Sequence, residues 1–182
     1  MTEPARARKR FTSKPKWRLF DEKFPEYRWQ YVKQTLMATL SMLGVLLLLD
    51  LVEQTVLIAS LGASTFIVFS MPHTKRSEPR YLLGGYAVGA LAGCSLSLVA
   101  TALIDMELSD ARLIEVCFAA LALGCAFLVM VVTDTEHPPA AALALGFVLN
   151  EWDLYALIVV LSGIALITAI KELIKPRLLD LI

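Results

Sequence analysis

Long stretches of this sequence contain no charge. Residues 54–72 and 81–104 have no Asp, Glu, Lys or Arg at all. A soluble domain of 182 residues does not hold such runs, and the overall 57% apolar content exceeds the 45–50% or so usual for one. The three cysteines, Cys94, Cys117 and Cys125, all sit inside apolar runs without metal-ligand spacing. That argues against a zinc site or a disulfide framework and leaves them as buried apolar residues. No cleavable signal peptide is read, because the leader before Leu36 is too long and too charged. A nucleophile–base pair and a metal-ligand set are both missing, so an enzyme is not expected and no cofactor is called for. Asp50 and Glu53 read as residues of the outer interface.

What is present is a charge asymmetry under a formal net charge of zero. Residues 1–33 hold ten of the seventeen Lys and Arg, against four acids. Residues 1–16 are basic and carry Pro, Ser and Thr, the composition of a disordered tail. Residues 17–34 mix charges with Trp17, Phe20, Phe24, Tyr27, Trp29 and Tyr31, which suits an amphipathic segment at headgroup level. A basic arm for nucleic acid is set aside, since membrane-grade sequence follows directly.

Six apolar segments follow, near 36–52, 54–72, 81–104, 113–133, 138–150 and 154–170. A span needs about 20 helical residues to cross about 30 Å of hydrocarbon. The fifth segment would cover only about 20 Å. If the N-terminus is cytoplasmic and every segment crosses once, sixteen of the seventeen basic residues fall inside and only Arg112 outside. The expectation is an all-α membrane protein of six segments, both termini cytoplasmic, in a bacterial inner membrane. A basic and interfacial region 1–32 leads into a transmembrane domain 33–176, with a cytoplasmic tail 177–182.

The chain also divides into halves, 33–107 and 108–176, with a shared rhythm of long, short and long segments. Three segments per half would set the halves in opposite orientation, the inverted-repeat pattern whose interrupted helices mark a binding site. In the second half, Thr133-Asp134-Thr135-Glu136-His137-Pro138-Pro139 leads into Ala140-Ala141-Ala142. Proline suits the first turn of a helix, so a short helix is expected from Pro138 or Pro139 to about Leu149. Its first turn is read as leaving backbone N–H groups open to an anion; the alternative is a cytoplasmic loop that merely starts a helix. Protonated His137 could attract an anion or couple a proton, while Glu136 suits capping or holding His137 in place.

In the first half, Gly62 permits a turn, and Ala63, Ser64 and Thr65 would open a half-helix over 63–71. A helix packed through small residues fits these residues equally well. Arg80, beside Pro79, could collect anions or simply set topology. Gly84, Gly85, Gly89 and Gly93 form a small-residue stripe suited to close helix packing.

His137-Pro138-Pro139 with small residues after it, Gly62-Ala63-Ser64, Pro72-His73, and Pro79-Arg80 before Gly84-Gly85 together resemble the HPP family of integral membrane proteins, over roughly Lys33 to Ile174. Alanines 140–142 stand where that family often has glycine, and Tyr86 where it often has histidine. The resemblance implies a multi-span membrane protein and, from the nitrite transport linked to plant and cyanobacterial members, a small anion such as nitrite as ligand. The combined reading is a channel or transporter binding the anion at two half-helix N-termini. Its substrate-binding residues would be Gly62, Ala63, Ser64, Thr65, His137, Pro138, Pro139, Ala140 and Ala141, with Glu136, Thr133 and Arg80 supporting and no metal. A membrane scaffold or sensor is the competing reading. A homo-oligomer would help so small a protein shield a pore.

Overall fold

A computed structural model describes residues 24–49, 55–107 and 109–181 of the chain. The expectations for residues 1–23, Asp50 and Glu53 lie outside the described residues. Everything regular in the described residues is helical. The six α-helices are α1 (Phe24–Leu49), α2 (Thr55–Ser70), α3 (Pro79–Asp105), α4 (Ala111–Thr133), α5 (Pro138–Leu149) and α6 (Leu154–Ile174). Single 3-10 turns cover Lys75–Ser77 and Lys175–Arg177. The helices α3 and α4, together with α6 extended through Arg177, are long and apolar enough to cross a membrane. The two shorter apolar helices are α2, with 16 residues, and α5, with 12.

Helix ends follow local chemistry. Asp110 caps α4 through Leu113 N at 3.0 Å, and Asp153 caps α6 through Ala156 N at 2.7 Å. Both acids satisfy backbone donors that a helix start leaves open. Proline opens α3 and α5, where its missing N–H costs nothing. Asp134 ends α4 in the left-handed conformation (φ 53°, ψ 52°), and Thr135 N returns to Met130 O at 2.9 Å.

The half-helix expected over 63–71 is corrected. Helix α2 runs unbroken from Thr55 to Ser70, with Gly62 in its middle. A glycine costs a helix about 1 kcal/mol relative to alanine. Opening the backbone in an apolar medium costs several kcal/mol for each group left unsatisfied. The second effect wins, and the helix continues. Of the segment 17–34 expected to lead into the membrane, residues 24–34 lie in α1, which has one non-helical residue, Tyr27.

Helix α5 sits at the centre, packed against α2, α3 and α4, while α1 packs on α2 and α6. The glycine stripe explains the closeness of α3 and α5. A Cβ at Gly85 would lie 2.5 Å from His137 Cβ, one at Gly89 would collide with Ala140 O, and one at Gly93 would lie 2.7 Å from Ala144 O. Apolar burial offers little driving force inside lipid, so close backbone approach and van der Waals contact hold such helices together. The outer face of α4 is apolar and exposed, with Val132 at 75% and Leu128 at 62%.

Residues 178–181 return to pack on the helices. Gln34, on α1, is almost wholly buried. Its amide donates to Leu179 O at 2.9 Å and accepts from Leu179 N at 2.8 Å, pairing with the backbone as a strand would. The same amide donates to Phe69 O. Leu181 N donates to Ser70 O, Tyr31 OH donates to Leu181 O, and Asp180 accepts from His73 N. Residues 178–181 thus tie α1 to the end of α2. A cavity of about 240 Å³ opens beside this tie, lined by Tyr27, Tyr31, Leu179, Asp180 and Leu181. Lys171 is fully buried, and its Nζ donates to Ser77 O at 2.8 Å and to Glu172 Oε1 at 2.6 Å. Those bonds fasten the 71–78 connection onto α6.

Candidate functional site

A small set of buried polar groups lies where α2, α3 and the start of α5 meet. His137 precedes Pro138 in extended backbone (φ −137°, ψ 95°). That conformation is what a residue before proline adopts, and it turns the imidazole inward. His137 is 1% exposed. Its Nε2 lies 2.8 Å from Ser64 Oγ, and Ser64 Oγ lies 2.9 Å from Tyr86 OH. The Tyr86 hydroxyl also reaches Ser60 Oγ at 3.3 Å. The tilted rings of Tyr86 and His137 have centroids 5.7 Å apart. Ser64 and Tyr86 are fully buried. The other ring nitrogen, His137 Nδ1, is buried and has no hydrogen-bond partner.

These positions follow from spacing. Ser60 and Ser64 stand one turn apart on α2 and share a face. Gly85 leaves room for the His137 side chain, and Tyr86 beside it on α3 reaches the hydroxyls of α2. The structure therefore brings together Ser64 and His137 from the expected set, and adds Ser60 and Tyr86, which sequence reasoning had not placed there. A pair of serines at i and i+4 on an otherwise apolar helix was the available signal.

Other expected residues go elsewhere. Ala63 is exposed and Gly62 half-buried; a Cβ on Gly62 would meet nothing within 4 Å. Thr65 is buried but bonds Leu61 O, with Met42 Sδ at 3.7 Å, so it faces α1. Pro139 and Ala140 are buried against α3, Ala141 is half-buried, and Pro138 is exposed. Thr133, Arg80 and Glu136 are exposed at the rim. Arg80 donates to Thr133 O at 2.9 Å and lies 3.9 Å from Asp134, which also takes Lys75 at 2.8 Å and Tyr81 OH at 2.8 Å. The Lys75 hydrogen bond, then that of Tyr81, holds the Asp134 carboxyl below its ordinary range.

The expected cradle of open N–H groups at α5 is corrected as well. Pro138 and Pro139 have no N–H, and Ala140 N donates to His137 O at 2.9 Å. The residues that start the helix are the ones that strip its first turn of donors. Polar capacity at this point resides in side chains, the imidazole and three hydroxyls.

The family model described as "HPP, transmembrane region" matches residues 25–176. A transmembrane protein of Dictyostelium discoideum is 32% identical over 125 residues, covering 65% of this chain and 41% of that protein. The chain thus spans well under half of that relative's length. No solved structure matches. With the family match spanning nearly all of the described helices, the chain belongs to the HPP family of membrane proteins.

Proposed function

We propose that this protein is a channel or transporter for a small inorganic anion, nitrite being the leading candidate. The observation that carries the reading is the His137–Ser64–Tyr86–Ser60 cluster, enclosed by apolar helices with one imidazole nitrogen unpartnered. Polar groups within a membrane domain are costly to keep and tend to serve function. Packing alone would be better served by apolar residues of like size. The nitrite assignment rests on the family resemblance. In this reading Ser64 and His137 are the centre of the substrate-binding residues, Pro138 and Pro139 aim the imidazole, and Arg80 and Thr133 form part of the mouth. The segments run as six crossings in two inverted halves, with both termini cytoplasmic in a bacterial inner membrane.

Nitrite uptake by proteoliposomes containing the full chain tests this, against protein-free vesicles of the same lipid. The expected result is protein-dependent uptake, reduced by a competing excess of formate. Uptake equal to protein-free vesicles across a panel of small anions would sink the transport reading.

A further inference from the structure

Resting on that transport reading, we infer that the solute crosses the His137 site together with one proton, as a neutral weak acid rather than a bare anion, with His137 Nδ1 as the acceptor of its O–H.

The argument starts from a hydrogen count. Ser64 Oγ has one proton to give and two lone pairs to receive with. It lies 3.0 Å from Ser60 O one turn back, 2.9 Å from Tyr86 OH and 2.8 Å from His137 Nε2. Ser60 Oγ gives its own proton to Leu57 O, so the protons of Ser60, Ser64, Tyr86 and Nε2 cannot serve all five contacts of the cluster. Four are met when Ser64 donates to Ser60 O and His137 Nε2–H donates to Ser64, with Tyr86 giving its proton either to Ser64 or to Ser60 Oγ at 3.3 Å. If Ser64 gave its proton to Nε2 instead, the contact with Ser60 O would be forfeited. The proton would then sit on Nδ1 as a buried orphan donor, and orphaned donors are rarer in folded proteins than under-used acceptors. The network therefore favours the Nε2–H form of a neutral imidazole, which leaves Nδ1 a bare lone pair. Nδ1 is buried and unpartnered.

A lone pair repels a bare anion and receives an O–H. The surroundings offer an anion nothing in compensation. Helix α2 carries no ionisable residue. On α3, Tyr86 reaches the cluster, Arg80 and Tyr81 are engaged at the rim with Thr133 O and Asp134, Cys94 is half-buried more than two turns beyond Tyr86, and Asp105 ends the helix. Helix α4, also packed on α5, carries Glu115 and Arg112 roughly 27 and 32 Å away along its axis from Thr133. Its other ionisable side chains are Cys117 and Cys125, which are exposed and half-buried. At the rim, Lys75 and Arg80 are engaged with Asp134, and Glu136 is exposed. Helix α5 supplies no N–H from Pro138 or Pro139, and that of Ala140 is taken.

The step balances simply. An anion and a proton from one side combine as the acid, whose O–H bonds to Nδ1. Should the proton pass fully to Nδ1, the pair becomes imidazolium and anion, and the total charge carried is still zero. On the far side the acid leaves and ionises, releasing anion and proton together. No electrons move. The substrate class is small conjugate bases of weak acids, nitrite and formate among them. Nitrate and chloride, derived from strong acids, fall outside it.

The test uses the full chain in proteoliposomes with a pH dye inside and potassium with valinomycin to set the membrane potential. Protein-free vesicles correct for passive permeation of nitrous acid. An acid-outside gradient should speed protein-dependent nitrite uptake at least tenfold and acidify the lumen mole for mole, while the imposed potential leaves the rate unchanged. His137→Gln, which keeps a donor toward Ser64 and replaces the basic Nδ1 by an amide oxygen that cannot take up the proton, should cut that uptake tenfold or more. Nitrate uptake should not exceed that of protein-free vesicles. Nitrite uptake that follows the potential and ignores the pH gradient would overturn the inference and leave transport standing, and the wild-type protein alone decides this even if the variant does not fold. A folded His137→Gln protein with wild-type uptake would overturn it too. An absence of any protein-dependent flux would remove both readings together.

Discussion

Helices α2 and α5 invite comparison, because the sequence presents them as counterparts and the structure does not. Both are short and apolar. Both carry small residues around a residue able to interrupt a helix. Yet α2 runs through Gly62 without a break, while α5 begins sharply at Pro138. The difference lies in the backbone donor. Glycine keeps its N–H, which must be bonded in an apolar medium, so the helix carries on. Proline has none to satisfy and fixes φ in the helical range, so it starts a helix and removes the preceding residue from one. The two helices then play different parts in one site. Helix α2 contributes hydroxyls from its side, and α5 contributes the imidazole at its start.

The sharpest way to break this contrast is to give α2 the residue that defines α5. Gly62→Pro should destabilise the protein by about 3 kcal/mol or more, because it deletes an interior hydrogen bond and clashes with the turn before. Thermal unfolding in detergent, read by circular dichroism, measures it. A loss below about 1 kcal/mol would mean that the continuity of α2 is dispensable.

The next largest effect separates two glycines that look alike in sequence. Gly89→Ala puts a methyl into Ala140 O and should cost about 1–3 kcal/mol through overpacking. Gly62→Ala, where a Cβ meets nothing within 4 Å, should stay within about 0.5 kcal/mol of wild type or gain slightly from helix propensity. Equal losses at both positions would show that α3 and α5 are not in the close register described. Ser64→Ala sharpens the comparison further. It leaves His137 Nε2 and Tyr86 OH short of a partner and should cost about 1–2 kcal/mol. Ala63→Ser, one residue away on the exposed face, should be neutral in the same unfolding assay.

These contrasts mark where the sequence was legible. Charge-free runs located the apolar helices, since the hydrocarbon thickness leaves few ways to place them. The start of α5 was legible because Pro138 and Pro139 act locally, and its end because the apolar run stops at Asn150 and Glu151. The use of Gly85, Gly89 and Gly93 for packing was legible as a stripe, though its partner, α5, was not. What stayed hidden depends on tertiary neighbours. Nothing in the order of residues says that Ser64 rather than Thr65 meets His137, since a turn of α2 by about 100° decides it. Gln34 reads as one polar residue near a headgroup region, and only the return of residues 178–181 gives it a backbone to pair with. Lys171 reads as a topology signal, and its burial follows from the placing of Ser77. The cradle of N–H groups failed for a reason the sequence did contain, namely that two prolines cannot donate.

The smallest expected effect lies at the rim, where the lead-in to α5 is anchored. Asp134, in the left-handed conformation, is held by Lys75 and Tyr81, with Arg80 near. Because its folded pKa is depressed below the ordinary 3.8, its contribution is fully present above that value and fades as pH falls through the lower, folded value. The pair is exposed, so its worth is modest and salt weakens it. Asparagine also tolerates the left-handed conformation, so Asp134→Asn removes the charge and leaves the backbone as it is. The variant should therefore melt at a slightly lower temperature than wild type at about pH 6 in low salt. The gap should narrow as pH falls below the ordinary 3.8, and should close on adding about 1 M salt. Melting curves for the two proteins over that range decide the matter. A gap that persists unchanged in acid and in salt would show that the Asp134 charge contributes nothing to the anchoring of His137.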